Sequence, residues 1–198
     1  MADETPPSNP EAASTASGAR ATAYRQRLEK KPLLATDDDA APAPDIESLQ
    51  ALVAKVEDNS PAFQSVAVAA VQILERALCF EREAAEAALS LGQREKMSTM
   101  VDTAEEAVGT LRDTLSVQGT KVMHLCSQQE SSPVTSGQPW WFALTDALEV
   151  LEEGTGRMSC LTTAQPQGSA AHTLSHRITQ LLRSHHDALL LEAEQWIS

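Results

Sequence analysis

Asn59-Ser60-Pro61, followed by AFQSVAVAAVQILERALCFEREAAEAALSL over residues 62–91, decides the fold of this chain. Ser60 can cap the free N–H groups of a helix start. Pro61 suits the first helical position, where its missing N–H costs nothing. Beyond it, Phe63, Val66, Ala70, Ile73, Ala77, Phe80, Ala84, Ala87 and Leu91 recur at spacings of three and four. A second line, Ala67, Val71, Leu74, Leu78, Ala85 and Ala88, sits about 40° around from the first. Two lines make a wide apolar face. A two-stranded coiled coil needs only a narrow seam, so this helix is expected to touch at least two neighbours.

Further on, the stripe jumps phase. A new one runs through Met97, Val101, Ala104, Val108, Leu111, Leu115, Gln118, Val122 and Leu125. Gly92 lies in the gap and is a residue type that ends helices. Two readings stay open. One is a single helix of about 65 residues, roughly 100 Å, with a register discontinuity. The other is a hairpin folded near Gly92–Lys96. Gln93-Arg94-Glu95-Lys96 is helix-friendly, which favours the first, while the phase break and Gly92 favour the second. The balance leans to the hairpin, with helices over residues 61–91 and 95–127.

Two shorter periodic segments follow. Residues 139–153 read as a helix with Trp140 or Trp141, Leu144, Leu148 and Leu151 on one face. It is expected to stop before Gly154-Thr155-Gly156, with a loop from Gly154 to Gly168 carrying Cys160. Residues 170–197 read as the last helix, with Leu174, Ile178, Leu181, Leu182, His185, Leu189 and Trp196 in its stripe. A helix at Asp45–Asp58 precedes the long one, with Ile46, Leu49, Val53 and Val56 on one face. No strand pattern and no internal repeat is visible.

Residues 1–44 have a different character. Six of the ten prolines lie here, among Ala, Ser, Thr and Asp, with too few large apolar groups to offset ordering entropy. This segment reads as a disordered tail, and 45–198 as the helical domain. Within the tail, Arg20–Lys31 holds five bases and the only tyrosine. It reads either as solvated tail or as a docking motif for an acidic partner.

Across its 198 residues the chain has 15 Lys and Arg against 28 Asp and Glu, a net charge of -13. Such a balance repels phosphate backbones and anionic headgroups, which argues against nucleic-acid or polybasic membrane binding. Most of the charge, -11, falls from Asp45 onward, on the helical part. A basic partner surface is the complement. Aromatics make up only 4%, so apolar content rests on Ala, Leu and Val, which suits helices. The longest purely apolar run, Val66–Val71, is too short to cross a bilayer. The acidic, proline-rich start is unlike a secretory or mitochondrial leader. Three scattered cysteines, Cys79, Cys126 and Cys160, form no disulfide framework or zinc ribbon and suggest a reducing compartment. The cytoplasm is the expected location, or the nucleus.

Chemistry-bearing residues are sparse. His172 and His176 are four apart and could clamp a metal on one helical face, but His185 and His186 cannot complete that site from the same straight helix. The acids Glu81, Glu83 and Glu86, and Glu149, Glu152 and Glu153, read as solvated helix surface rather than catalytic pairs. No phosphate loop, nucleophile elbow or dinucleotide signature appears. Neither a cofactor nor an enzymatic activity is expected.

Trp140-Trp141-Phe142 gathers three of the seven aromatics. Adjacent helical residues diverge by about 100°, so all three cannot face one core. Trp140, Trp141 and Trp196 are therefore candidates for a protein interface. Val101, Val108, Leu111, Leu115, Val122 and Leu125, the narrow seam, are candidates for zipping onto a partner helix.

The expectation is an all-α protein, an elongated helical bundle or coiled coil behind a disordered tail. Its expected role is that of a scaffold subunit in a multi-protein complex. Cytoskeletal, vesicle-tethering and kinetochore assemblies are analogies of architecture only. The alternative is a self-contained four-helix bundle acting as a ligand-binding or regulatory adaptor. The first predicts a homo- or hetero-oligomer, the second a compact monomer.

Overall fold

The computed structural model describes residues 49–51, 60–117, 119 and 140–197, with side chains as far as Gln195. Helix is the only regular structure among them. Four long helices are present: α1 (Pro61–Ala87), α2 (Leu91–Val117), α3 (Trp140–Ala164) and α4 (Ala170–Ile197). Leu49–Ala51 adds a piece of helix within the expected Asp45–Asp58 segment. The tail to residue 44, with its Arg20–Lys31 island, lies outside the described residues.

Helix α1 starts as its sequence dictates. Ser60 is the N-cap in extended backbone, its Oγ accepts from the Phe63 N–H at 3.2 Å, and Pro61 follows. The helix stops at Ala87, because Ala88 leaves helical geometry (φ -58°, ψ 131°). A capping box then opens α2. Gln93 N–H donates to Ser90 Oγ, and Ser90 N–H donates to Gln93 Oε1, both at 3.2 Å. Two orphan donors are satisfied reciprocally.

The chain therefore folds back as a hairpin, and the single 65-residue helix does not occur. The bend lies at Ala88–Ser90, and Gly92 is already inside α2. Leu91, expected as the last member of the α1 stripe, is 85% exposed.

Helix α1 is the hub, packing against α2, α3 and α4, while α3 and α4 also pack on each other. Its wide face accounts for this. Phe63, Val66, Ala67, Ala70, Val71, Leu74 and Ala77 are all buried, and small alanines let three neighbours approach. Each fully buried Leu or Phe contributes about 1.5–3 kcal/mol of transfer free energy. By length and composition, α1 is also the one described helix apolar enough to cross a membrane. Within the bundle its apolar face is spent on the three neighbours, and Glu75 and Glu81 lie buried along it.

Cross-helix pairs fix the directions. Arg112 pairs with Glu75 and Arg82 with Glu105, so α2 runs antiparallel to α1. Arg76 pairs with Glu153 at 3.0 Å, and Gly154 lies against Ile73, so α3 runs antiparallel to α1 as well. Helix α4 folds back on α3 and is thus parallel to α1. The order is up, down, down, up.

Helix α3 is longer than the sequence reading, which ended it at Glu153. Gly154 and Gly156 lie inside it, and Cys160 is helical rather than in a loop. Gly154 is needed for contact, not for a turn. A Cβ built there would lie 2.8 Å from Ile73 Cγ2 and 3.6 Å from Leu182 Cδ1. Three helices converge where a hydrogen replaces a side chain. Met158, one turn on, is buried too. The actual turn is Gln165–Ser169, where Pro166 discourages helix before it and Gly168 adopts φ +79°. Ser169 then caps α4 by accepting from the His172 N–H at 3.1 Å.

Candidate functional site

Among the described residues, ionisable groups enter the core at three places. Glu81, on α1, is fully buried and lies on a line with Leu74, Leu78, Ala84 and Ala88. Its Oε1 is 2.8 Å from His185 Nδ1 on α4. With the carboxyl ionised, the imidazole N–H is the donor. Glu81 Oε2 has no hydrogen-bond partner among the described residues. Glu75, also on α1, is buried and paired with Arg112 of α2. Glu192 of α4 is buried, and Lys96 Nζ of α2 reaches it at 2.6 Å. That lysine stays mostly in solvent and buries only its reach.

Each contact ties a different pair of helices: α1–α4, α1–α2 and α2–α4. Buried pairs of this kind add little net stability, but breaking one strands a charge. They fix which helix meets which, and at what height. They bring no nucleophile to an open cleft. Reading Glu81 as solvated surface is therefore corrected. The buried face of α1 is rotated from the expected stripe, so Phe80 is only half-buried while Glu81 takes the interior position. Glu81 lies seven residues after Leu74 and three before Ala84, which is the spacing that could have revealed it.

The other acids stay outside. Glu149, Glu152 and Glu153 are exposed, and Glu153 holds Arg76. Glu83 is half-buried at the α1–α3 boundary. Burial raises its carboxyl above the ordinary range, and the charges of Asp146 and Glu86 push it further the same way.

Of the expected interface residues, Val101, Val108, Leu111 and Leu115 are buried within the bundle, where α2 packs on α1. That part of the seam is closed by the chain itself and offers no free face. Val122 and Leu125 lie outside the described residues. Trp140 is buried at the start of α3, with Nε1 unpartnered among the described residues, which corrects its reading as an interface residue. Trp141 and Phe142 are half-buried. Trp196 lies in the last turn of α4, and its side chain is outside the described residues.

His172 and His176 stack with ring centroids 6.3 Å apart. Among the described residues no three potential ligands gather for a metal. Cys79 is disulfide-bonded, although the three scattered cysteines read as no disulfide framework, and Cys160 is free and exposed.

What the bundle leaves open is apolar surface at one end. Leu89 (63% exposed) and Leu91 (85%) form the hairpin tip, and Leu191 (59%) lies near the end of α4. Lys96 and Glu192 bring the start of α2 level with the end of α4. The neighbouring charges of Glu83 and Asp146 set the antiparallel height, which places Trp141 level with Ala88. An open groove of about 440 Å³ runs beside this end between α1 and α2, lined by Arg82, Ala85, Glu86, Arg94, Ser98 and Val101.

Comparison of the chain with protein-family models, with curated proteins and with solved structures gives no match.

Proposed function

We propose that the chain is a non-enzymatic protein-interaction module, a self-contained helical bundle that serves as an adaptor. One observation carries this reading. The α2 seam is consumed within the chain, while Leu89, Leu91 and Leu191 are left uncovered at one end. Large apolar groups exposed at the same end of a bundle are candidates for a binding surface. The buried pairs between helices support the same reading, since they favour a bundle that holds its own shape. The competing scaffold reading, in which long helices zip between chains, loses its main motive once Val101, Val108, Leu111 and Leu115 are covered internally.

Size-exclusion with light scattering on the full chain tests the choice. A mass of 21.3 kDa is expected. An obligate dimer or higher species would return the reading to a scaffold. Cross-linking in native extract followed by mass spectrometry then names the partners, and absence of any stoichiometric protein partner would sink the adaptor reading.

Scattered thiols alone suggest the cytoplasm. The disulfide at Cys79 fits an oxidising compartment better. Alkylation of acid-quenched cells reports which holds. A reduced Cys79 would favour the cytoplasm.

A further inference from the structure

We propose that the hairpin end of the bundle is a docking surface for one class of partner, an amphipathic helix whose apolar stripe is flanked by Lys and Arg. This rests on the adaptor reading and specifies its surface. Leu89 and Leu91 at the hairpin tip, Trp141 at the head of α3 and Leu191 on α4 share this end. Three of the four large apolar side chains that are exposed among the described residues belong to it. The fourth, Val117, lies 26 positions further along α2, about 39 Å away at 1.5 Å per residue.

Charge selects the occupant. Glu83 and Glu86 stand on α1 just before the tip, and neither has a basic partner among the described residues. Asp146 of α3 adds its charge at the same height. The crowding shows in the Glu83 carboxyl, which holds its proton more tightly than usual because of burial and the two acids beside it. A cation brought here would relieve that repulsion. The whole chain, at -13, steers the same kind of partner. Arg82 is occupied by Glu105, so the basic side of the α1–α2 groove is partly neutralised. An apolar stripe would cover the leucines and Trp141, and flanking Lys or Arg would reach Glu83 and Glu86. The helix would be held through its apolar stripe, with its basic flanks meeting the acids.

The test uses the full chain and a fluorescent helical peptide of leucine and lysine, about 18 residues long with one apolar face. Its leucine–glutamate counterpart serves as control. The lysine peptide should bind, and more weakly as salt rises. Leu89→Ser with Leu91→Ser should weaken it about tenfold. Glu83→Gln with Glu86→Gln should weaken it several-fold, and Val117→Ser should leave it unchanged. Equal binding by all variants would reveal plain attraction to an acidic protein and overturn the proposal. Equal binding of the glutamate peptide would overturn it too. So would a dimer that Leu91→Ser dissociates, which would make a second copy the occupant. Protection of the Leu89, Leu91 and Gly92 amides from exchange in the free monomer would mean that the chain already covers this end. If the native partner complex survives Leu89→Ser and Leu91→Ser intact, the surface is wrong while the adaptor reading stands.

Discussion

His185 and Glu81 meet 2.8 Å apart in the interior, 104 positions apart in sequence, and the second oxygen of Glu81 faces no donor. The pair joins α4 to α1 at a height where both helices otherwise present alanine and leucine. Removing one partner should cost about 3 kcal/mol, because the survivor is left buried and unpaired. Chemical denaturation of His185→Ala measures this. The double variant Glu81→Leu/His185→Leu should recover most of the loss. A single variant as stable as wild type would show that water already reaches the site.

Gly154 and Gly156 lie in the same helix and should respond oppositely to alanine. At Gly154 the added methyl would collide with Ile73, so Gly154→Ala should lose about 1–3 kcal/mol. Gly156 is exposed with open space around it, so Gly156→Ala should gain up to about 1 kcal/mol from helix propensity. Thermal melts of the two variants side by side decide it. Equal gains would mean that α1 does not approach α3 closely.

Glu83 predicts a pH effect of unusual sign for a carboxylate. Its folded-state pKa is raised, so the folded chain binds this proton more tightly than the unfolded chain does. At neutral pH the charged group therefore costs stability, and the cost is lifted as pH falls through the raised value. Glu83→Gln should stabilise by a few tenths of a kcal/mol near neutral pH, a size tempered by its partial exposure. The gain should vanish by about pH 4. A gain that persists unchanged at that pH would point to a cause other than charge.

Ser90 holds the hairpin bend. Ser90→Ala removes the side-chain half of the capping box and should cost about 1 kcal/mol. Ser90→Asp should keep most of it. Amide exchange at Gln93 is the direct readout, since its N–H loses the Ser90 Oγ acceptor.

Much of this architecture is legible in the residue order, because α1 announces itself. Ser60-Pro61 sets its start, and its wide face calls for several neighbours. The interior place of His185 is also readable from its position in the α4 stripe. Its partner is not, since nothing in a single sequence says which helix lies opposite. The sequence puts the hairpin bend near Gly92–Lys96, because glycine is the usual signal, but Ser90-x-x-Gln93 is a capping box and marks the true start of α2. The same preference for glycine cut α3 short at Gly154. That glycine answers a contact with Ile73, which only tertiary structure supplies. The apolar end is not legible for a related reason. Leu89, Leu91 and Leu191 come from separate segments that the fold brings level.

The direction of α4 has a kinetic consequence. Helix α1 is completed by partners made up to about 100 residues later, as the spacing of Glu81 and His185 records. On the ribosome, α1 emerges with an 18-residue window of mean hydropathy 1.3 and none of α3 or α4 to cover it. Its first companion is α2, which leaves the faces meant for α3 and α4 bare until those two helices have been made. Such long-range closure slows folding and prolongs exposure of apolar surface. A chain truncated within α4 should consequently be a chaperone client, because it lacks part of the segment that seals its first helix.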